Sequence, residues 1–439
     1  MRKLNVDRLK RIAKENLLIT CGMVVVVSCS LILVRVLTEY LTPTQYGELS
    51  LALTLVNLIN QIVMCGLISG IGRFYSIAAE KKALTIYIRD AHKLLFYATL
   101  LVILIGLLCC AGLMFMSQST WITLAIISIV FAILTSYNSV YSDIQNAARH
   151  RGIVNFSNGL DSILKIVLSI GAFYLINKSS TSVMIGYCAS ACIVLITNKF
   201  LLRYAIPIEK HPHLHAAQSK TWARQIWAYA WPFSTWGIFT WAQQASDRWA
   251  LQIFSTTDDV GVYSVLFQLG YVPIMMLSGL ASGFLTPIFF QRAGDASDAA
   301  RNQNVHRVNW LISWALLALT IIAALLAAIL HPWVFKIFVS ASYREHSYLL
   351  PWFVLAGGFF ATGQMFALKL MSEVRSKHLL PVKISTALLG CALNIFGAWI
   401  AGLTGIVIAL VCFSSSYVIW TAWLARSSIA APLITKDAI

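Results

Sequence analysis

The chain has 439 residues, 59% of them hydrophobic and 11% charged, with a mean hydropathy of +0.75. Soluble domains carry about a quarter of their residues as charges, so a soluble globular fold is excluded. The formal net charge of +16 would suit a nucleic-acid binder, but the basic residues are shared among alternate loops instead of forming one patch, and no nucleic-acid partner is expected.

Twelve apolar stretches of membrane-crossing length are predicted, at 17–37, 48–70, 94–116, 121–142, 155–176, 183–202, 226–247, 261–283, 309–330, 348–370, 384–402 and 405–425. About 20 helical residues cross the hydrocarbon core. Runs such as LLFYATLLVILIGLLCCAGLMFM, Leu94 to Met116, lack the alternation of a transmembrane barrel. The expected class is an all-α polytopic membrane protein.

The chain begins with MRKLNVDRLKRIAKEN, where Leu4, Leu9, Ile12 and Ala13 recur at roughly helical spacing among basic residues. This pattern predicts an interfacial helix. The first apolar stretch is longer than a signal-peptide core and no small-residue cleavage site follows it, so it is expected to be retained. Most of the 33 lysines and arginines fall at the amino terminus and in every second loop, through Arg73, Arg149, Lys199, Arg292 and Lys369 to Arg426. By the positive-inside rule both termini are expected in the cytoplasm, with the excess charge also drawing anionic lipid headgroups.

Several stretches carry a polar face. Thr54, Asn57 and Gln61 share one side of the second, and Ser139, Asp143 and Asn146 one side of the fourth. The fifth, NFSNGLDSILKIVLSIGAFYLI, carries Asn158, Asp161, Lys165 and Ser169 at spacings of three and four, which puts them on one helix face. A charge at the bilayer centre costs on the order of 3 kcal/mol on insertion scales, so such a face turns toward protein or a wet cavity. Two readings of Asp161 and Lys165 stand open. They either neutralise one another as helix glue, or Lys165 contacts an anionic substrate while Asp161 positions it or exchanges a proton. The seventh stretch carries Thr240, Gln243, Gln244 and Asp247. Together these faces predict a hydrated cavity between two lobes.

The most polar linker, RYAIPIEKHPHLHAAQSKTWARQ, divides the chain into an amino-terminal lobe (1–207), a cytoplasmic linker (208–225) and a carboxy-terminal lobe (226–439). His211, His213 and His215 in it are either a metal-binding cluster or a solvated linker. No cysteine lies in the linker to complete a site. The nine cysteines all lie in predicted spans, where cysteine acts as a small hydrophobe. Neither disulfide, metal nor cofactor is implied.

A weak internal repeat accompanies the division. Arg35 is followed by YGELS, and Arg248 by VGVYS, at similar distances. Each lobe has six spans and starts on the same side, so the repeats would be parallel, related by a pseudo-two-fold along the membrane normal as in many secondary transporters. Arg35 and Arg248 either snorkel to the outer headgroups or offer guanidinium forks to an anion. Trp222, Trp227, Trp231, Trp236 and Trp241 recur into the seventh span, as interfacial belt, core packing or a stacking surface for sugar rings. The chain has no G-x-x-x-x-G-K-[ST], H-E-x-x-H or G-x-S-x-G motif. Its predicted external loops are short, so an enzyme is not expected.

The segment LVRVLTEYLTPTQYGELSLALTLVNLINQIVMCGL, with Arg35, Leu41, Pro43, Tyr46 and Gly47, resembles the polysaccharide-exporter branch of the multidrug/oligosaccharidyl-lipid/polysaccharide flippase superfamily. DRWALQIFSTTDDVGVYSVLFQLGYVPIMM, with Asp247, Arg248, Val260, Gly261, Tyr263 and Ser264, agrees in the second half. The resemblance implies a Wzx-type O-antigen flippase with a MATE-like fold of twelve helices. It would carry an undecaprenyl-pyrophosphate-linked oligosaccharide across the bacterial inner membrane by alternating access, coupled to an ion gradient. Lys165, Arg35, Arg248, Asn57 and Gln61 are the expected substrate-binding residues. Asp161 and Asp247 are expected to serve in coupling or charge pairing. Membrane lipids, a polysaccharide polymerase and a chain-length regulator are the implied partners. The alternative is a cation-coupled efflux transporter for small amphipathic molecules.

Overall fold

The computed structural model describes residues 2–115, 119–205, 216–293, 299–372 and 379–426. Among them there is no strand. The helices are α1 (Arg2–Tyr40), α2 (Pro43–Ile59), α3 (Cys65–Glu80), α4 (Leu84–Phe115), α5 (Ser119–Ala147), α6 (Arg151–Leu175) and α7 (Ser180–Ala205). They continue with α8 (Ala216–Phe254), α9 (Thr257–Leu266), α10 (Val272–Ala293), α11 (Ala299–Phe338), α12 (Leu350–Ser372) and α13 (Leu379–Ala425). One π-helical turn, Asn60–Met64, joins α2 to α3, and another, Phe267–Tyr271, joins α9 to α10. A 3₁₀ segment, Ala341–Leu349, precedes α12.

Ten of the described helical stretches are long and apolar enough to cross a membrane. The last of them is two helices in one. Gly402 has φ +52° and Ala401 φ −141°, which breaks α13 between the predicted spans 384–402 and 405–425. Only glycine takes that left-handed conformation at little cost. The 39-residue α8 is long enough to cross but carries too many polar residues to be counted by apolarity. With these two, the described residues form the expected all-helical, twelve-span arrangement of a membrane protein. The basic amino-terminal stretch is continuous with the first span in α1. Of the predicted linker, 208–215 lie outside the described residues and 216–225 open α8.

Two compact units form. One comprises Met1–Leu41 with Glu48–Trp241, the other Thr42–Gly47 with Ala242–Ile439. In the first, α1 packs on α6, α6 on α7, α7 on α5, and α5 on α3 and α4. The start of α8 belongs here too. Trp222 lies edge-on to Tyr87 at 5.7 Å, and the Trp241 indole donates to the Thr54 carbonyl at 2.8 Å. A buried amide chain ties three helices: Ser157 Oγ donates to Asn198 Oδ1 (2.7 Å), Asn198 Nδ2 to Asn138 Oδ1 (3.1 Å), and Asn138 Nδ2 to the Ala191 carbonyl (2.9 Å). In lipid, where apolar packing gives helices no preference for one another, such bonds contribute about 0.6 kcal/mol each.

In the second unit α12 is the central helix, packed by α10, α11, α13 and the π turn Phe267–Tyr271. Its Gly357, Gly358, Ala361 and Gly363 are all buried, and small residues of this kind let neighbouring backbones close in. Lys369 corrects the loop assignment made from sequence. It sits in the last turn of α12, fully buried, and its Nζ donates to the Ala425 carbonyl at 2.6 Å. The unsatisfied carbonyls at a helix carboxy terminus stabilise a cation there.

The same unit explains the internal repeat. Thr42 caps α2 reciprocally with Gln45: Gln45 N donates to Thr42 Oγ1 (3.3 Å), and Thr42 N to Gln45 Oε1 (3.2 Å). Thr256 caps α9, accepting from Asp259 N at 3.2 Å. The two capped helix starts then pack on one another. Thr44 Oγ1 donates to Asp258 Oδ1 at 2.5 Å. A Cβ on Gly47 would stand 2.1 Å from the Thr257 carbonyl oxygen, and one on Gly261 2.0 Å from that of Pro43. Gly47 and Gly261 are thus equivalent positions whose backbones approach too closely for any side chain.

Candidate functional site

Two ion pairs on long helices, one in each unit, take contacts from neighbouring helices. In the first unit, α6 turns Asp161 and Lys165 to one face, with Lys165 Nζ 2.6 Å from Asp161 Oδ2. Ser190 of α7 donates to Asp161 Oδ1 at 2.9 Å. The ammonium lies over the rings of Phe131 on α5 and Tyr187 on α7, at 5.6 and 5.9 Å from their centroids, a cation–π setting that helps hold it in an apolar slab. The pair is not sealed: its side chains are 24% and 26% exposed for Lys165 and Asp161. Asp161 is the hydrogen-bonding partner of Lys165 among the described residues, which leaves ammonium N–H groups open to further acceptors. Of the other polar residues on that face, Ser169 is buried and donates to the carbonyls of Lys165 and Ile166.

The polar face of the second span is less uniform than its spacing predicts. Thr54 is buried and bonds the Leu51 carbonyl, Asn57 is exposed, and Gln61 is half-buried inside the π turn. The neighbouring Asn60 is the residue drawn into contacts, accepting from Ser136 Oγ at 2.6 Å. Its sequence signal is an amide in an apolar stretch three residues after Asn57, while the π turn that sets its direction is not readable from spacing. Arg35 pairs with Glu39 one turn on, at 3.1 Å, both side chains substantially exposed.

Arg248, in the second unit, is built in. Asp247 is buried and takes donors from the Arg248 backbone N–H (2.7 Å), Arg248 Nη1 (3.2 Å) and the Tyr263 hydroxyl (2.5 Å). Arg248 Nη1 also donates to the Gln244 carbonyl at 3.1 Å. Its guanidinium lies 4.9 Å from the Phe267 centroid and 5.5 Å from that of Tyr263. Phe267 belongs to the π turn and stacks on Tyr271 at 4.5 Å. Asn394 of α13 reaches the same end, donating to Ser246 Oγ at 2.8 Å. The two arginines are not equivalent: in the register that pairs Thr42 with Thr256, Arg248 falls opposite Val34.

The tryptophan series divides. Trp222 is buried, Trp227 and Trp231 are exposed, and Trp241 is held by its indole bond. The Trp236 side chain lies outside the described residues, as do His211, His213 and His215.

Comparison with known proteins places this arrangement in context. Residues 12–292 match the family described as "Polysaccharide biosynthesis protein". No curated protein sequence gives a match. Among solved structures, the lipid II flippase MurJ in an inward closed conformation is similar at a TM-score of 0.70 and 11% identity, over 94% of this chain and 88% of that one. An inward-facing multidrug-resistance MATE transporter is similar at 0.64 and 13%, over 92% and 95%. A MOP superfamily transporter from Pyrococcus furiosus, described as having a binding pocket of reverse polarity, gives 0.58 and 15%, over 94% and 96%. At these identities the likeness is one of fold.

Proposed function

Because the chain belongs to the polysaccharide biosynthesis protein family, we propose that it flips an undecaprenyl-pyrophosphate-linked oligosaccharide, the repeat unit of an O-antigen or related surface polysaccharide. The cargo moves from the cytoplasmic to the periplasmic leaflet of a bacterial inner membrane, by alternating access driven by an ion gradient. The protein acts as a transporter without catalysing bond formation. It hands its cargo to a polymerase and a chain-length regulator, and keeps both of its own termini in the cytoplasm.

The observation that carries this reading is Lys165. An ammonium is kept within a membrane span, steadied by Asp161 and two ring faces, and still a quarter exposed. A lysine binds phosphate as a compact charge with several donors. In this reading Lys165 takes the pyrophosphate and Asp161 holds the lysine until cargo arrives. Asp161 is the proton- or ion-exchanging candidate, and Asp247 serves in charge pairing with Arg248. Arg35, Asn57 and Gln61 meet the sugar or headgroup through accessible polar groups, while Arg248, enclosed by Asp247, Tyr263 and Phe267, serves its own unit. The membrane solvates the polyprenyl tail.

Sealed proteoliposomes containing a fluorescent undecaprenyl-pyrophosphate oligosaccharide test this, with leaflet distribution read by a membrane-impermeant quencher. Wild-type protein is expected to move the lipid, faster under an imposed ion gradient, and Lys165→Ala to abolish movement while folding normally. No movement by the wild type in any gradient, together with gradient-driven uptake of a cationic dye, would overturn the reading in favour of amphipathic efflux.

A further inference from the structure

The second unit contains a groove of about 800 Å³ between α11, α12 and the second half of α13, separate from the charge pair. Its walls are Trp310, Trp314, Phe359, Phe366, Trp420 and Trp423, with Arg426 at one end. Trp314 and Trp423 are 57% and 63% exposed, so the groove opens on the face that meets lipid. From Ser415 to Arg426 it extends about 16 Å at 1.5 Å per residue. That is the depth of one leaflet, half of a hydrocarbon core about 30 Å thick.

One wall residue is out of keeping with a purely apolar furrow. Ser313 is 1% exposed, and its hydroxyl has no hydrogen-bond partner among the described residues. Buried serines in helices normally bond the carbonyl one turn back, as Ser264 does to Val260. Trp310 is beside the Arg426 end, its indole directed at the Ala425 carbonyl, and Ser313 lies about 4–5 Å deeper along α11. A cation at the end of a groove and an unbonded hydroxyl one step further in match the order of groups in a diacyl phospholipid. Its phosphate comes first, an ester carbonyl just below, then hydrocarbon. A polyprenyl phosphate has no carbonyl at that depth and a chain far longer than one leaflet.

We propose that this groove binds one anionic phospholipid, its phosphate on the Arg426 guanidinium, an ester carbonyl accepting from Ser313 Oγ, and an acyl chain along the tryptophan and phenylalanine rings. The lipid is drawn from the cytoplasmic leaflet, a placement that rests on the topology read above. Binding itself does not depend on the identity of the cargo.

The test uses full-length protein in phosphatidylcholine nanodiscs and a photoreactive phosphatidylglycerol, with labelled peptides mapped by mass spectrometry. Labelling is expected on the α11 and α13 walls, competed by unlabelled phosphatidylglycerol. Arg426→Gln should weaken that competition about tenfold, and Ser313→Ala about threefold. The wild type supplies a measurement that no folding defect can blur: ether-linked phosphatidylglycerol, lacking the ester carbonyl, should compete about threefold less well than the ester lipid. That difference should vanish in Ser313→Ala. Equal competition by ester and ether lipids, or by phosphatidylcholine and phosphatidylglycerol, would overturn the proposal. So would stronger competition by undecaprenyl phosphate, which would make the groove part of the cargo path. Loss of flipping with unchanged labelling would count against the proposed function and leave the lipid site standing.

Discussion

Asp161–Lys165 and Asp247–Arg248 have the same composition, one carboxylate and one cation in a membrane span, and differ in almost every physical respect. The first pair is joined along a helix face, four residues apart, with one carboxylate oxygen on the lysine and the other on Ser190. Both side chains keep about a quarter of their surface open. The second pair is sequence-adjacent and closed off, with a tyrosine hydroxyl, a backbone N–H and two aromatic rings taking up what the partner leaves. A buried ion pair stands or falls with all its contacts, whereas an open pair can exchange one partner for a ligand. The difference separates a pair suited to holding structure from a pair able to yield its cation to an anion.

Asp247→Ala should do the most damage, stranding Arg248 in a low-dielectric site at a cost of about 3–5 kcal/mol, read as a large fall in thermal unfolding midpoint in detergent. Replacing both members with apolar residues of similar volume should restore most of that stability. If the single variant unfolds like wild type, the two pairs are energetically alike and the contrast fails. Tyr263→Phe removes one charge-assisted bond to Asp247 and should cost about 1.5–3 kcal/mol by the same measurement.

Lys165→Ala should cost only about 1 kcal/mol, because Asp161 keeps Ser190 and partial access to water. Its transport loss should nevertheless be complete in the proteoliposome assay. The charge-swapped Asp161→Lys/Lys165→Asp variant sharpens the distinction. It should fold and fail to transport, and recovered transport would make the pair structural. Arg35→Gln should change stability by about 0.5 kcal/mol or less, as expected of an exposed pair one helical turn apart, measurable as an unfolding midpoint within error of wild type.

The parts of this contrast that lie along one helix are visible in the sequence. Asp161 and Lys165 four apart announce a shared face, and twelve apolar stretches announce the fold. What encloses each pair is not visible, because it comes from other helices. Phe131, Tyr187 and Ser190 arrive at Lys165 and Asp161 from α5 and α7. Tyr263 and Phe267 reach Arg248 only because the chain turns at Ser255 and runs back beside α8. Lys369 was misplaced for the same reason. A lysine near a basic loop reads as part of it, and nothing local reveals that the end of α13 will be there to receive its ammonium. The Thr42 and Thr256 caps show the opposite case, a tertiary relation that leaves a local trace, since the same threonine and glycine positions recur around both helix starts.

The reciprocal packing of those helix starts has the form of an isologous interface, in which one patch serves as its own complement. Gly47 meets Thr257 as Gly261 meets Pro43. A half-length ancestor carrying a single copy of that patch would have dimerised through it. Duplication and fusion of its gene would convert the dimer contact into an internal one. Around that patch the two halves differ, with Pro43 at the place of Thr257 and Gln45 at that of Asp259. The pair of glycines is the same in both, since each helix start's backbone occupies the space the other's side chain would need.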